Sequence, residues 1–247
     1  MRALLLAAGL LLMTWGTAAS ADLPRLSRPS AVRVPAATSL YMGWSGFYFG
    51  VNAGGGIGNS KSDFSVGGPL FASVNNAFSG AVGGGQAGFN WQSGLTVIGL
   101  ETDLQASGIR GSLNTPCIPG ICGLPLTATY NDKVPWFGTV RGRLGAAASS
   151  WLMYVTGGYA YARIETDALA AAGMAAAAFS LHDTKSGWTA GGGIEVALAP
   201  GWSAKLEYLY LDFGHRGSTL VLLPAAAIVD DAHFTMNVVR VGVNYRL

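Results

Sequence analysis

Charge is scarce in this 247-residue chain: Asp, Glu, Lys and Arg make up 11% of it, against 50% apolar residues. The 15 basic and 13 acidic side chains leave a formal +2. So small an excess implies no nucleic-acid or other polyanion partner. Long apolar runs are scarce too. The run Ala3 to Met13 falls short of the ~20 residues that a spanning helix needs. With Met1-Arg2 before it and Ala19-Ser20-Ala21 after it, it predicts a signal peptide over residues 1–21, cleaved before Asp22. No later segment offers an apolar stretch long enough for a transmembrane helix. A hydrophobic chain without helical spans is either a soluble β-rich core or a membrane barrel.

Cysteine is nearly absent. Cys117 and Cys122 stand as CIPGIC in a Pro- and Gly-rich segment. In an exported protein this spacing predicts a local disulfide stiffening a loop. A metal site would need further ligands, and the CxxC redox spacing is missing. The three histidines, His182, His215 and His233, lie close in sequence to Asp183, Asp212, Asp230 and Asp231. Such pairs are able to activate water, but solvated polar residues at strand ends are the plainer reading. There is no GxSxG and no HExxH. No catalytic residue, metal or cofactor is expected.

Glycine is abundant, at 36 residues, and the chain is organised by a period of two. Residues 22–43, with Pro24, Pro29, Pro35, Arg25, Arg28 and Arg33, read as an extended periplasmic leader. From Trp44 to Leu247 eight segments alternate between apolar and polar faces: 46–59, 78–91, 96–107, 136–146, 151–163, 187–197, 202–213 and 234–247. Short links at Ser93-Gly94, Ser149-Ser150 and Pro200-Gly201 alternate with long connections at about 60–77, 108–135, 165–186 and 214–233. A soluble sandwich has no reason to sort its connections this way, whereas short periplasmic turns and long extracellular loops describe an outer-membrane barrel. Trp91, Trp151, Trp202 and Tyr245 fall at the short-turn ends, where an interfacial aromatic girdle belongs. The expected fold is all-β: an eight-stranded antiparallel transmembrane up-and-down barrel over residues 44–247, with four long extracellular loops.

The last eight residues, RVGVNYRL, alternate to the end, with Arg240, Gly242, Tyr245 and Leu247 as their markers. They resemble the insertion signal of bacterial outer-membrane barrels, with Leu247 where Phe is usual. The stretches WSGFYFGVNAGGG (44–56), GGGQAGFNW (83–91), GWTAGGGIE (187–195), KLEYLYLDFG (205–214) and 238–247 resemble the small outer-membrane β-barrel family of Gram-negative surface antigens, the porin family proteins. The resemblance implies location in the cell outer membrane, no appended peptidoglycan-binding domain and surface exposure through loops. The expected partners are outer-membrane lipid, the barrel assembly machinery and, through the loops, a host or envelope surface; a monomer is expected.

Glu101, Asp103, Arg141, Arg143, Glu195, Lys205, Glu207 and Arg240 fall on polar strand faces, which point inward because a Lys or Arg facing lipid at mid-bilayer costs roughly 2–4 kcal/mol. Eight strands enclose only enough room for side chains. Four acids and four bases therefore predict a plug of salt bridges, Arg141 and Arg143 facing Glu101 and Asp103; a gated polar path is the alternative. Lumen glycines, among them Gly54, Gly56, Gly88, Gly191 and Gly193, leave room for either water or long side chains. Two connections are notably apolar, Ala168 to Leu181 and Leu220 to Val229. They are candidates for loop packing, with a short helix in the Ala-rich one, or for contact with a partner. The expected role is structural, in envelope integrity and loop display. A small passive pore and an adhesin or ligand binder are the alternatives.

Overall fold

The computed structural model describes residues 43–66, 70–116, 126–172, 175–223 and 226–247. The expected signal peptide, the leader up to residue 42, and Cys117 with Cys122 lie outside the described residues. Eight antiparallel strands close into a barrel, each paired with its sequence neighbours and the last with the first. They are β1 Gly46–Val66, β2 Leu70–Ser93, β3 Thr96–Pro116, β4 Leu126–Ala148, β5 Trp151–Ala172, β6 Ala175–Ala199, β7 Trp202–Leu223 and β8 Ala226–Arg246. Closure runs through the carboxyl end: Phe49 pairs with Tyr245 and Ala53 with Val241, and Leu247 N donates to Phe47 O at 2.9 Å. The last strand thus leaves no open edge beside the first.

Each short turn uses backbone that few side chains tolerate. Gly94 (φ 61°) and Gly201 (φ 77°) supply the left-handed residue of theirs, and Ser149 takes φ 54° in the β4–β5 turn without being glycine.

The long connections differ from the sequence expectation in conformation. Most of their residues continue the strand ladders, through Ser60↔Asn76 in β1–β2, Arg110↔Lys133 in β3–β4, Glu165↔His182 in β5–β6 and His215↔His233 in β7–β8. The Ala-rich segment forms no helix: Ala168–Ala172 end β5 and pair with Ala175–Phe179 of β6. Cross-strand hydrogen bonds override alanine's helical propensity here. These arms escape a search for alternation because an outer face beyond the membrane has no need to be apolar.

Two of the eight ladders stop early. Among the described residues, β2–β3 pairing ends at Ser79↔Arg110 and β6–β7 pairing at Trp188↔Asp212, while the other six continue outward. The outer arms therefore form two four-stranded leaves, β3–β4–β5–β6 and β7–β8–β1–β2. Register shifts at Ala106/Ile109, Lys133/Trp136 and Asp212/His215 fall at the level where the leaves separate. An extra residue in one strand bends and twists the pair. Pro135, which has no N–H for a ladder, sits within one of these shifts.

The outward face between the strand ends is apolar, with Val51, Leu100, Leu104, Val140, Val155, Leu206 and Val241 exposed. Trp91, Trp151 and Trp202 ring the short-turn end, where Tyr245 packs on Trp202 at 5.0 Å between centroids. A second ring, including Tyr159, Tyr161, Trp136, Trp188 and Tyr210, borders the other side. From Trp151 to Tyr161 is ten residues on one strand. At a rise of ~3.3 Å per residue and a tilt of ~40° this gives a height of ~25 Å, that of a barrel's lipid-facing band.

Candidate functional site

The interior is layered. At the periplasmic mouth Trp44, Val97, Ala147 and Leu152 form a small apolar cluster, and the Arg246 guanidinium lies 4.7 Å from the centroid of the Trp44 ring. Trp44 is held by its backbone N–H, which donates to Gln92 Oε1 at 2.6 Å.

Above it sits the charged layer. All eight sequence-selected charges point inward and meet, none with more than 3% of its side chain exposed. Arg141 is the hub. Its Nη2 contacts Glu101 Oε1 at 2.5 Å and Asp103 Oδ2 at 2.9 Å, and its Nη1 contacts Glu207 Oε1 at 3.1 Å. Arg240 bridges Glu207 and Asp103 at 2.6 and 2.9 Å, and Lys205 reaches Glu101 at 2.9 Å. Arg143 departs from the sequence pairing. Its short contact, 2.9 Å, is to Glu195 across the lumen, and Glu101 lies 3.7 Å away. Register explains this: Arg141 pairs with Glu101, which places Arg143 opposite Gly99 and nearer the mouth.

Polar neighbours complete the acceptors. Glu195 takes hydrogen bonds from Ser203 Oγ and Asn244 Nδ2, and Asp103 takes one from Thr139 Oγ1. Two phenols that charge counting passes over belong to the layer: Tyr48 donates to Glu101 at 2.7 Å and Tyr154 to Glu207 at 2.9 Å. The Arg143 guanidinium carbon lies 3.9 Å from the Tyr154 ring centroid, a contact worth up to ~2 kcal/mol when desolvated. The parity of the strands was the available signal, since Tyr48 lies on the face opposite Phe47 and Phe49.

The lumen glycines are space for these side chains. A Cβ at Gly88 would collide with the Tyr48 ring, one at Gly193 with Tyr154, and one at Gly56 with Ile109 Cδ1 at 2.6 Å.

Outward of the charges the lumen turns apolar. Phe78, Ile109, Phe137, Leu209, Leu211, Phe213, Phe234, Met236 and Val238 are buried in one cluster. Phe78 stacks on Phe234 at 4.6 Å, joining β2 to β8. These residues share strand parity with the charges: Leu209 and Leu211 follow Lys205 and Glu207 at steps of two, and Val238 and Met236 precede Arg240. In the sequence an inward face is marked by charge, and these positions carry none.

The histidines do not converge on one centre. His182 Nδ1 is 3.7 Å from Glu165, His233 Nε2 is 3.0 Å from Asp212, and His215 stacks on His233 at 4.5 Å. Among the described residues no group of three or more His, Cys, Asp or Glu is placed to hold a metal. The Cys117 and Cys122 pairing lies outside the described residues. Of the insertion-signal residues, Arg240 and Gly242 face the lumen, Tyr245 packs against Phe49 and Trp202, and Leu247 is exposed.

Comparison with known proteins agrees with this geometry. The chain is 40% identical over 233 residues to the 31 kDa outer-membrane immunogenic protein of Brucella melitensis biotype 1, covering 90% of each chain. It is 28% identical over 174 residues to the 22 kDa outer membrane protein of Rhizobium leguminosarum bv. viciae, covering 69% of this chain and 64% of that one. Among solved structures, the outer membrane protein OprG of Pseudomonas aeruginosa shares the fold, with a TM-score of 0.51 at 13% identity, covering 82% of this chain and 97% of that one. Residues 30–246 match the outer membrane protein beta-barrel domain. The chain belongs to that family of small outer-membrane β-barrel surface antigens, and its place is the cell outer membrane.

Proposed function

We propose that the protein is a sealed structural barrel, which braces the outer membrane and holds its outer hairpins at the cell surface without conducting solutes. One observation carries this reading: the charged layer is capped on both sides by apolar layers, Trp44, Val97 and Leu152 below and the Phe78–Phe234 cluster above. A continuous aqueous path would have to wet both. The charges themselves are consumed by one another, four acids against four bases, so none is left facing an open lumen to select ions.

The histidines of the outer arms are set apart from the charged layer. The His233 and Asp212 pair lies on the outward face at the membrane boundary, with Thr235 as the cross-strand partner of Asp212. The name of the Brucella relative, an immunogenic protein, accords with surface-displayed hairpins. Outer-membrane lipid and the barrel assembly machinery are the partners this reading requires, and a monomer suffices for it.

The test is conductance of refolded protein in a planar bilayer, with heat-modifiable gel migration reporting that the barrel has formed. A folded barrel is expected to be silent. Reproducible current steps that change on Arg141→Gln would overturn the reading in favour of a small passive pore.

A further inference from the structure

The outer arm of β7–β8 brings together two histidines whose separation in the sequence carries no metal-ligand spacing. His215 and His233 are direct cross-strand partners. Their rings lie face to face, with centroids 4.5 Å apart and planes within 7° of parallel. His233 precedes the buried Phe234 and therefore faces outward, and its partner across the ladder shares that face.

The backbone is shaped to make this pair. Asp212 pairs with Thr235 and His215 with His233, so β7 spends one residue more than β8 over the same stretch. Gly214 lies in that bulge at φ 67°, a backbone conformation that glycine adopts without strain. Without the extra residue Gly214 would stand opposite His233, and His215 would turn toward the lumen. A bulge re-aims the side chain that follows it, and this one sets the second imidazole beside the first.

Asp212 ties the bulge to the ring. It accepts from Gly214 N at 2.8 Å and from His233 Nε2 at 3.0 Å, and Tyr210 hydrogen-bonds to it as well. An ionised carboxylate only accepts, so neutral His233 carries its proton on Nε2 and keeps Nδ1 as a base. A carboxylate on the far nitrogen is what orients a metal-bound imidazole and raises its basicity.

Imidazole nitrogens bind zinc-like ions at ~2.0–2.1 Å, so two on one ion stand ~3 Å apart. Rings with centroids at 4.5 Å come to that spacing when each turns its facing edge toward the other about the Cβ–Cγ bond. His215 is exposed, and the His233 side chain keeps 35% of its surface, so water reaches the remaining coordination positions. Among the described residues no third His, Cys, Asp or Glu joins the pair. Lys61 of β1 is the other cross-strand partner of His233, and its charge opposes that of Asp212. Two protein ligands with a cation nearby make a site of moderate affinity.

We infer that His215 and His233 form a binding site for one divalent transition-metal ion of the zinc, nickel or copper type on the outer wall of the barrel. Imidazole suits these ions, whereas Mg²⁺ and Ca²⁺ prefer oxygen ligands. The site lies on a different face from the lumen and stands whether or not the barrel conducts.

The experiment titrates Zn²⁺ alone into untagged, refolded barrel by calorimetry, and follows Cu²⁺ by electron paramagnetic resonance, where nitrogen couplings count the bound imidazoles. Heat-modifiable migration confirms that each variant is folded. The proteins are the parent, H215Q, H233Q, and H182Q as a control on the other leaf. One Zn²⁺ per barrel and two coupled nitrogens on Cu²⁺ are expected. Affinity for Zn²⁺ is expected to fall at least tenfold in H215Q and in H233Q and less than twofold in H182Q, and excess Mg²⁺ is expected not to compete. Undiminished affinity in folded H215Q or H233Q would overturn the inference. An equal loss in H182Q would do so too, by showing scattered surface histidines, as would displacement by Mg²⁺, by showing a carboxylate site. Fewer than two coupled nitrogens in the parent would overturn it without recourse to any variant.

Discussion

The middle and the outer thirds of the lumen occupy the same barrel, on the same strands and the same inward face, yet they are filled by opposite chemistry. In the middle, Arg141, Arg143, Lys205 and Arg240 neutralise Glu101, Asp103, Glu195 and Glu207. Outward of it, Phe78, Leu209, Leu211, Phe234 and Met236 pack as an ordinary protein core. The charged layer is specific and brittle, because each group has been stripped of water and depends on named partners. The apolar layer is tolerant, since dispersion and exclusion of water do not require particular pairings. On the proposed reading, the charges hold the register of the barrel and the apolar side chains its seal.

The comparison predicts that the largest single loss comes from the charged hub. Arg141→Met is expected to cost about 3–5 kcal/mol, because it leaves Glu101, Asp103 and Glu207 buried with too few counter-charges. Urea unfolding in detergent micelles measures it, and a loss under 1 kcal/mol would show that water reaches the layer. Removing Arg143 and Glu195 together is expected to recover more than half of what Arg143→Met alone loses, since a whole pair is cheaper to delete than one partner.

In the apolar layer, Met236→Ala is expected to cost about 2–4 kcal/mol through lost burial and the cavity left behind, and to leave the bilayer silent. Current through that variant, but not through Arg141→Met, would place the seal in the apolar layer alone. At the small end, Ser149→Gly in the β4–β5 turn is expected to stabilise by about 0.5 kcal/mol or less. Relief of the left-handed serine is partly offset by the greater freedom of glycine in the unfolded chain. Any destabilisation there would mean that the serine side chain itself holds the turn.

Much of the site was legible in the sequence because strand parity is strict. Glu101 and Asp103, or Lys205 and Glu207, stand two apart and must share a face, and lipid forbids that face from being the outer one. The cross-lumen partnership of Arg143 with Glu195 was not legible, because β4 and β6 are not neighbours and their contact depends on how far each side chain reaches across a barrel of this width. Nor was the apolar layer, since an inward Leu211 and an outward Leu206 look alike to composition and are told apart only by counting parity from a fixed charge. The strand extensions were hidden for the opposite reason. Ser60 to Ser65 and Arg110 to Pro116 lack the apolar stripe, and ladder hydrogen bonds are made by backbone atoms that all residues share.

By itself the sequence determined an eight-stranded membrane barrel, its direction and its girdle of Trp91, Trp151, Trp202 and Tyr245, because alternation, turn residues and the cost of charge in lipid act locally and are written residue by residue. Only the tertiary structure decided which charges meet, that apolar layers flank them on both sides, that two ladders part into leaves, and that Arg110 faces Lys133 on the outer wall. Those features follow from register and curvature, which are fixed when all eight strands close at once and the lumen must be filled without voids.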